Sequence, residues 1–151
     1  MSYSTGEALV LTRLQAVSGF TTTNTSRGKW GILNSGKAAV YGIIKPGPAE
    51  REFVSSTLVI NHWRAMIQIW RRYKDDGDTL TNLETDVALV LAEFDRYGKL
   101  ADTTGTIPND ARASRVGEAQ EMWLTSEGGP SWLKQEVTIE WEEQATINPA
   151  E

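Results

Sequence analysis

The sequence contains no cysteine and only one histidine, His62. Without cysteine the chain can form neither a disulfide framework nor a thiolate metal site, and a single histidine leaves little for zinc binding or acid–base catalysis. His62 also lacks a cysteine, serine or carboxylate at a spacing typical of a catalytic nucleophile, so we interpret it as a structural residue. The sequence therefore predicts no catalytic residues, no cofactor and no metal site.

Long apolar runs are missing as well, since no stretch approaches the length of about 18 residues that indicates a membrane span. The chain begins with a polar segment, so we expect no signal peptide and no membrane partner. We expect the protein in the cytoplasm of its producing cell or in a particle assembled there. A net charge of −5 argues against tight binding of nucleic acid, because such binding requires a basic surface.

The composition is that of a folded protein, with 40% hydrophobic residues, 23% charged residues and six tryptophans. A length of 151 residues favours a single domain over residues 1–151. We interpret residues 145–151 as a short flexible tail.

Residues 81–98 carry the clearest helical pattern. Thr81 and Glu84 form the T-x-x-E of a capping box, and Gly98 supplies a stop. The apolar residues between them recur along one helical face: Leu83, Val87, Val90, Leu91 and Phe94. Such a stripe needs a partner layer, so the segment predicts a central helix packed on a sheet.

A first helix is predicted over about residues 5–17, where residues 4–7 read as another capping box. Residues 20–37 then form a long polar run around Trp30. We interpret this run as a loop that is functional or becomes ordered by a partner, and we predict a second polar loop at residues 101–110.

Four segments predict strands, at residues 37–44, 57–73, 111–125 and 133–141. In the second and fourth segments the side chains alternate between two faces. One face of the second segment carries Trp63, Ala65, Ile67 and Ile69, and the other carries Arg64, Met66, Gln68, Trp70 and Arg72. The fourth segment has Leu133, Val137, Ile139 and Trp141 on one face, with Lys134, Glu136, Thr138, Glu140 and Glu142 on the other.

The order of helix, two strands, helix and two strands predicts an α+β fold (α-β-β-α-β-β). Short turns within each strand pair favour a four-stranded, mainly antiparallel sheet with both helices on one face. The opposite face would expose Met66 and Trp70 among charged residues, which is typical of a protein-contact surface. The candidate interface residues are Arg64, Met66, Trp70, Arg71, Arg72, Glu136, Glu140 and Glu142.

Several local patterns have chemical interpretations that we consider weaker. Residues 31–38 read G-x-x-x-x-G-K-A, but they lack the Ser or Thr of a phosphate-binding loop and precede a predicted strand. The aspartates of residues 75–78 do not match an EF-hand loop and favour a turn with a helix cap. The basic residues 71–74 favour a strand end or interface patch over a nucleic-acid contact. The glutamates of the last strand favour solvated carboxylates over a catalytic pair.

The chain resembles the tail terminator proteins of long-tailed bacteriophages. The resemblance covers most of the chain and rests on its size, on the order of the elements, and on two segments. The strand at residues 61–73 leads through an acidic turn into the amphipathic helix, and residues 132–144 form a closing strand. No signature motif accompanies this pattern.

This resemblance implies a structural virion protein of the tail or neck region, assembled in the host cytoplasm. Such a protein caps the tail tube, ends tube polymerisation and docks the head-side connector. The resemblance further implies a homo-hexameric ring, with the tail tube protein and the connector or stopper protein as partners. DNA would only pass through the lumen, and residues 20–36 and 101–110 would become ordered on assembly.

Other classes of function stay open. Within phage assembly, the chain could be another head–tail joining or neck protein. From a different class, it could be a small nucleotide-binding enzyme that uses residues 31–37, or a cytoplasmic adaptor that binds peptides at a sheet edge.

Overall fold

The computed structural model describes residues 3–35, 37–74, 76–96, 111–122 and 132–147. In chain order its elements are α1 (Tyr3–Gln15), β1 (Thr25–Arg27), α2 (Ile32–Ser35), β2 (Val40–Pro46), β3 (Glu50–Phe53), β4 (Leu58–Arg72), α3 (Asp76–Arg96), β5 (Arg112–Met122) and β6 (Trp132–Thr146). The predicted helix stop at Gly98 and the predicted loop at residues 101–110 lie outside the described residues.

The strands form one mixed sheet in the order β1-β2-β4-β6-β5, with β3 paired to β4. Neighbouring strands are antiparallel except β1, which runs parallel to β2. The α+β class is confirmed, but the sheet formed by the described residues has six strands rather than four. The two additional strands, β1 and β3, are short and polar and are held by main-chain pairing. Their sequences therefore lack the apolar alternation that reveals a strand.

The helices α1 and α3 pack on the same face of the sheet, which we call the helix face. Its core comprises Val10, Leu14, Leu83, Val87, Val90 and Phe94 from the helices and Ala65, Ile67, Ile69, Leu133, Val137, Ile139 and Trp141 from the strands. The predicted stripe of the central helix is thus confirmed as core. Each large apolar side chain buried here contributes about 1.5–3 kcal/mol.

The central helix α3 begins at Asp76 rather than at Thr81. Thr81 lies inside the helix, where its carbonyl accepts a hydrogen bond from the Thr85 hydroxyl (3.0 Å). Glu84 binds Arg115 of β5 instead of capping the helix. No helix-breaking proline separates Asp76 from Thr81, and aspartates in a first turn interact favourably with the helix dipole. The helix therefore starts earlier than the capping-box pattern predicts.

The predicted capping box of the first helix is also wrong, because Glu7 is recruited by other residues. Its carboxylate accepts hydrogen bonds from the Tyr3 hydroxyl and from Nε of Arg27 (2.6 Å), and the side chain is buried. Burial and the neighbouring Glu7 raise the pKa of the Tyr3 hydroxyl. This cluster attaches α1 to β1.

The polar run at residues 20–35 is folded within the chain rather than being a plain loop. Its turn depends on Asn24, whose Oδ1 accepts a hydrogen bond from the main-chain nitrogen of Thr21 (2.6 Å). The side-chain nitrogen of Asn24 donates to the carbonyls of Gly19 (2.7 Å) and Val40 (3.2 Å). The run then supplies β1 and the one-turn helix α2. Its order therefore derives from contacts inside the subunit.

The long strands β4 and β6 pair without interruption from Leu58 opposite Thr146 to Arg72 opposite Trp132. The strand β6 therefore includes the first two residues of the predicted tail. No helix in the described ranges is long and apolar enough to cross a membrane.

Candidate functional site

The face of the sheet opposite α1 and α3, which we call the outer face, carries most of the predicted interface residues. Cross-strand pairs place His62 opposite Glu142, Arg64 opposite Glu140, Met66 opposite Thr138, Gln68 opposite Glu136, Trp70 opposite Lys134 and Arg72 opposite Trp132. The alternation predicted for β4 and β6 is thus confirmed. Of the candidate residues, Arg71 alone has the opposite orientation.

One end of the outer face is covered by α2. Leu33 of α2 packs with Tyr41, Ile43, Trp70 and Trp132 in a second group, which we call the small core. Trp70 is only 7% exposed, so its predicted role as an exposed contact residue is wrong. The covering helix is a single turn in a segment without periodicity, and the sequence pattern therefore gave no sign that Trp70 is buried.

The cations at this end lie against the rings of the small core. Cζ of Arg72 is 4.5 Å from the ring centroid of Trp132, and Nζ of Lys134 is 5.4 Å from that of Trp70. Lys134 also pairs with Glu136 at 3.3 Å. Such contacts stabilise a cation over an aromatic face. Arg72 and Glu136 thus make contacts inside the subunit.

Arg71 points to the helix face, where it forms an ion pair with Asp86 of α3 at 3.0 Å. Asp86 is buried, and burial raises the pKa of its carboxyl group, while Arg71 acts in the opposite direction. The pair joins β4 to α3, so the assignment of Arg71 to the outer interface is wrong. Residues 71 and 72 of the predicted basic run are therefore divided between the two faces.

The other end of the outer face is open and charged. Its side chains, which we call the charged ladder, are Glu52, His62, Arg64, Arg112, Glu140 and Glu142. Nε of Arg64 lies 2.9 Å from Glu140, and His62 lies 3.0 Å from Glu52 and 3.4 Å from Glu142. Surface pairs of this kind contribute only about 0–1 kcal/mol. A partner can therefore exchange them for intermolecular pairs at little cost.

Part of the charged ladder lines a shallow groove with a volume of about 150 Å³. His62 is flanked there by carboxylates from two other strands, although the sequence showed none at a suggestive spacing. Sheet pairing brings Glu52 and Glu142 to its two ring nitrogens. Within the described part of the chain, no group of three or more His, Cys, Asp or Glu residues is arranged to hold a metal ion.

Between the small core and the charged ladder, the outer face carries apolar side chains that we call the apolar strip: Trp30, Met66 and Val116. Trp30 is 41% exposed, Val116 is 42% exposed and Met66 is half-buried. Nε1 of Trp30 donates a hydrogen bond to Oε1 of Gln68 (2.7 Å). Gln68 pairs with Glu136, which pairs with Val116, so the polar side chains of Gln68 and Glu136 lie between Trp30 and Val116.

Val116 is placed by a β-bulge that the sequence did not reveal. The register of β5 against β6 shifts between Val116 and Gln120, and Gly117 has a φ of 67°. The fully buried Gln135 holds the bulge, because its Nε2 donates to the carbonyls of Val116 (2.9 Å) and Gly117 (3.3 Å). A positive φ favours glycine, and a bulge interrupts the two-residue period. Two-residue alternation could therefore not show which side chains of β5 lie on the outer face.

The glycine motif at residues 31–38 has the wrong context for a phosphate-binding loop. The helix α2 lies inside the motif, Leu33 is buried in the small core, and β2 follows at Val40. A phosphate-binding loop instead connects a strand to a following helix. In the aspartate run, Asp75 and the side chain of Asp76 lie outside the described residues.

No protein-family model matches the chain, and no curated protein matches it.

Proposed function

We propose that the protein is a structural virion protein that caps the tail tube of a long-tailed bacteriophage. In this proposal it acts as a homo-hexameric ring in the tail or neck region, ends tube polymerisation and forms the docking surface for the head-side connector. The tail tube protein and the connector or stopper are its partners, and DNA passes through the lumen without specific binding. The resemblance to tail terminator proteins supports this assignment.

The observation that carries the proposal is the apolar strip on the open part of the outer face. Its side chains are exposed or half-buried, and they lie in two neighbouring rows of the sheet beside the charged ladder. Exposed apolar residues rimmed by charges are typical of protein-contact surfaces. A cyclic ring needs two different complementary surfaces on each subunit. The apolar strip with the charged ladder supplies one of them.

The substitution Val116→Glu tests this surface, because it places a carboxylate in the apolar strip. Leu89→Glu is the matched control, since Leu89 is 41% exposed, close to the 42% of Val116, but lies on α3. We expect light scattering to show that Val116→Glu dissociates the ring and that Leu89→Glu leaves it intact. Equal effects of the two substitutions would contradict the role of the apolar strip.

The tail-terminator function is tested by mixing the purified protein with its tail tube protein and measuring tube length by electron microscopy. We expect shorter tubes of uniform length with rings at their ends. A protein that stays monomeric and leaves tube length unchanged would exclude the proposal. Binding to the portal side alone would instead assign the chain to the head–tail joining proteins.

A further inference from the structure

The sheet has a second exposed feature, which we call the β-arm. It consists of β3, the beginning of β4 at residues 58–62 and the end of β6 at residues 142–146. All four residues of β3 are exposed, and within the described residues β3 pairs only with β4. One side of β3 is therefore an open strand edge.

The main-chain groups at this edge can be identified from the hairpin that joins β3 to β4. The nitrogen of Val54 donates to the carbonyl of Leu58 (3.0 Å), and the register continues with Glu52 opposite Ile60. In an antiparallel pair, alternate residues direct their main-chain groups towards the partner strand. The N–H and C=O groups of Arg51 and Phe53 therefore point away from β4, towards the open side.

The sheet edges at β5 and at β3 differ in their protection. The edge at β5 is interrupted by the bulge at Gly117, which is a common device against edge-to-edge pairing. The edge at β3 has a regular register, and it ends in two exposed apolar residues. Phe53 is 69% exposed and Val54 is 52% exposed. A short, charged strand is usually a protected edge, but apolar side chains at its end favour contact with another chain.

The charges of the β-arm define which chain would fit. Glu50 and Glu52 both lie on the outer face of β3. Glu142 of β6 lies on the same face, on the other side of β4. His62 is the basic group between them, and the next cation along β4, Arg64, pairs with Glu140. On the opposite face of β3, Cζ of Arg51 lies 5.3 Å from the ring centroid of Phe53. The open edge therefore has an acidic side, with Glu50 and Glu52, and a second side on which Arg51 lies against the exposed ring of Phe53.

We propose that the open edge of β3 binds an extended segment of a partner protein as an additional strand. Side chains of an added strand alternate between the two faces. The segment would carry Lys or Arg facing Glu50 and Glu52, and an apolar residue against Phe53. This inference does not rest on the proposed tail function, because it concerns the outward main-chain groups of β3; Glu52, His62 and Glu142 of the β-arm also belong to the charged ladder.

The probe is a labelled peptide of alternating lysine and valine, about eight residues long, a typical strand length. The control peptide alternates glutamate and valine. We expect the lysine peptide to bind the full-length protein and to shift the amide NMR signals of residues 50–54. Binding should weaken as salt is added, because the contacts are exposed charges. Absence of binding, or equal binding of the two peptides, would overturn the proposal.

The substitution Arg51→Pro removes the outward N–H while leaving the ladder with β4 unbroken, since proline is tolerated at the open side of an edge strand. Arg51→Ala is the matched control, because it removes the same side chain but keeps the N–H. We expect Arg51→Pro to bind at least about fivefold more weakly than Arg51→Ala, as for the loss of one hydrogen bond. Thermal unfolding shows whether both variants keep their fold.

The substitution Glu52→Lys provides a second measurement that leaves the main chain unchanged. We expect it to weaken binding of the lysine peptide and to strengthen binding of the glutamate peptide.

Equal peptide affinities of Arg51→Pro and Arg51→Ala would contradict strand addition. Self-association that Arg51→Pro abolishes would assign the edge to a second copy and overturn the proposal. If the protein binds the lysine peptide but does not change tube length when it is mixed with the tail tube protein, only the tail function is contradicted.

Discussion

The two faces of the sheet are built from the same strands, but they are covered to very different extents. The helix face is covered by α1 and α3, whereas among the described residues only α2 covers the outer face, and only at one end. Neighbouring residues of β4 show the contrast, since Ile67 is fully buried and Met66 is half-buried. The comparison indicates that the helix face supplies most of the stability and that the open outer face is available for contacts.

The largest difference is expected between truncations of these two neighbours. Ile67→Ala should lower the free energy of unfolding by about 2–5 kcal/mol, because it leaves a cavity in the helix-face core. Met66→Ala should cost only about 1 kcal/mol, because a half-buried side chain loses less apolar contact. Urea unfolding followed by tryptophan fluorescence measures both. Similar losses for the two variants would contradict the contrast between the faces.

A smaller loss is expected at Gly6, where α1 packs directly on Trp141 of the sheet. A Cβ atom at Gly6 would lie 2.4 Å from the ring of Trp141, which is buried and stacks on Tyr3. Gly6→Ala should therefore destabilise the protein by about 1–3 kcal/mol through overpacking. Gly77→Ala in α3 is the matched control, because outside its own helix backbone and its chain neighbours no described atom lies within 4 Å of the added Cβ. Because alanine has a better helix propensity than glycine, Gly77→Ala should stabilise the protein by about 0.5–1 kcal/mol.

The smallest effects concern the ion pairs of the two faces. Burial raises the pKa of Asp86 in the folded state, so its contribution to stability is present below the ordinary value of 3.8 and is lost as the pH rises through the raised value. We therefore expect the stability of wild type relative to Asp86→Asn to decrease as the pH rises above 3.8.

On the outer face, Glu140→Gln should change the free energy of unfolding by less than about 1 kcal/mol.

Urea titrations at several pH values test the expectations for Asp86→Asn and Glu140→Gln. A difference between wild type and Asp86→Asn that does not change with pH would show that Asp86 titrates alike in the folded and unfolded states. A large loss in Glu140→Gln would show that the charged ladder stabilises the fold and is not freely exchangeable.

The sequence predicted those parts of the fold whose signal is local. The stripe of α3 and the alternation in β4 and β6 were read correctly, because burial on one side imposes a period on consecutive residues. The starts of both long helices were misplaced, because Glu7 and Glu84 bind Arg27 and Arg115 from distant strands. Such long-range partners leave no trace in the neighbouring sequence.

The prediction of the candidate interface was likewise correct where it used local alternation and wrong where distant residues decide burial. Alternation correctly placed Arg64, Met66 and Glu140 on the outer face. It could not show that α2 covers Trp70, nor that Trp30 reaches the outer face through its hydrogen bond to Gln68, which lies 38 residues away. The apolar strip therefore became visible only when the strands were assembled.

By itself, the sequence determined the α+β class, the two long helices and the side of β4 and β6 that is buried, because hydrophobic periodicity is a property of adjacent residues. The tertiary structure alone decided that the described residues form a sheet of six strands and that β3 leaves an open edge there. It also decided that the outer face is divided into a small core, an apolar strip and a charged ladder. These features depend on main-chain pairing and on contacts between distant segments, and neither leaves a period in the sequence.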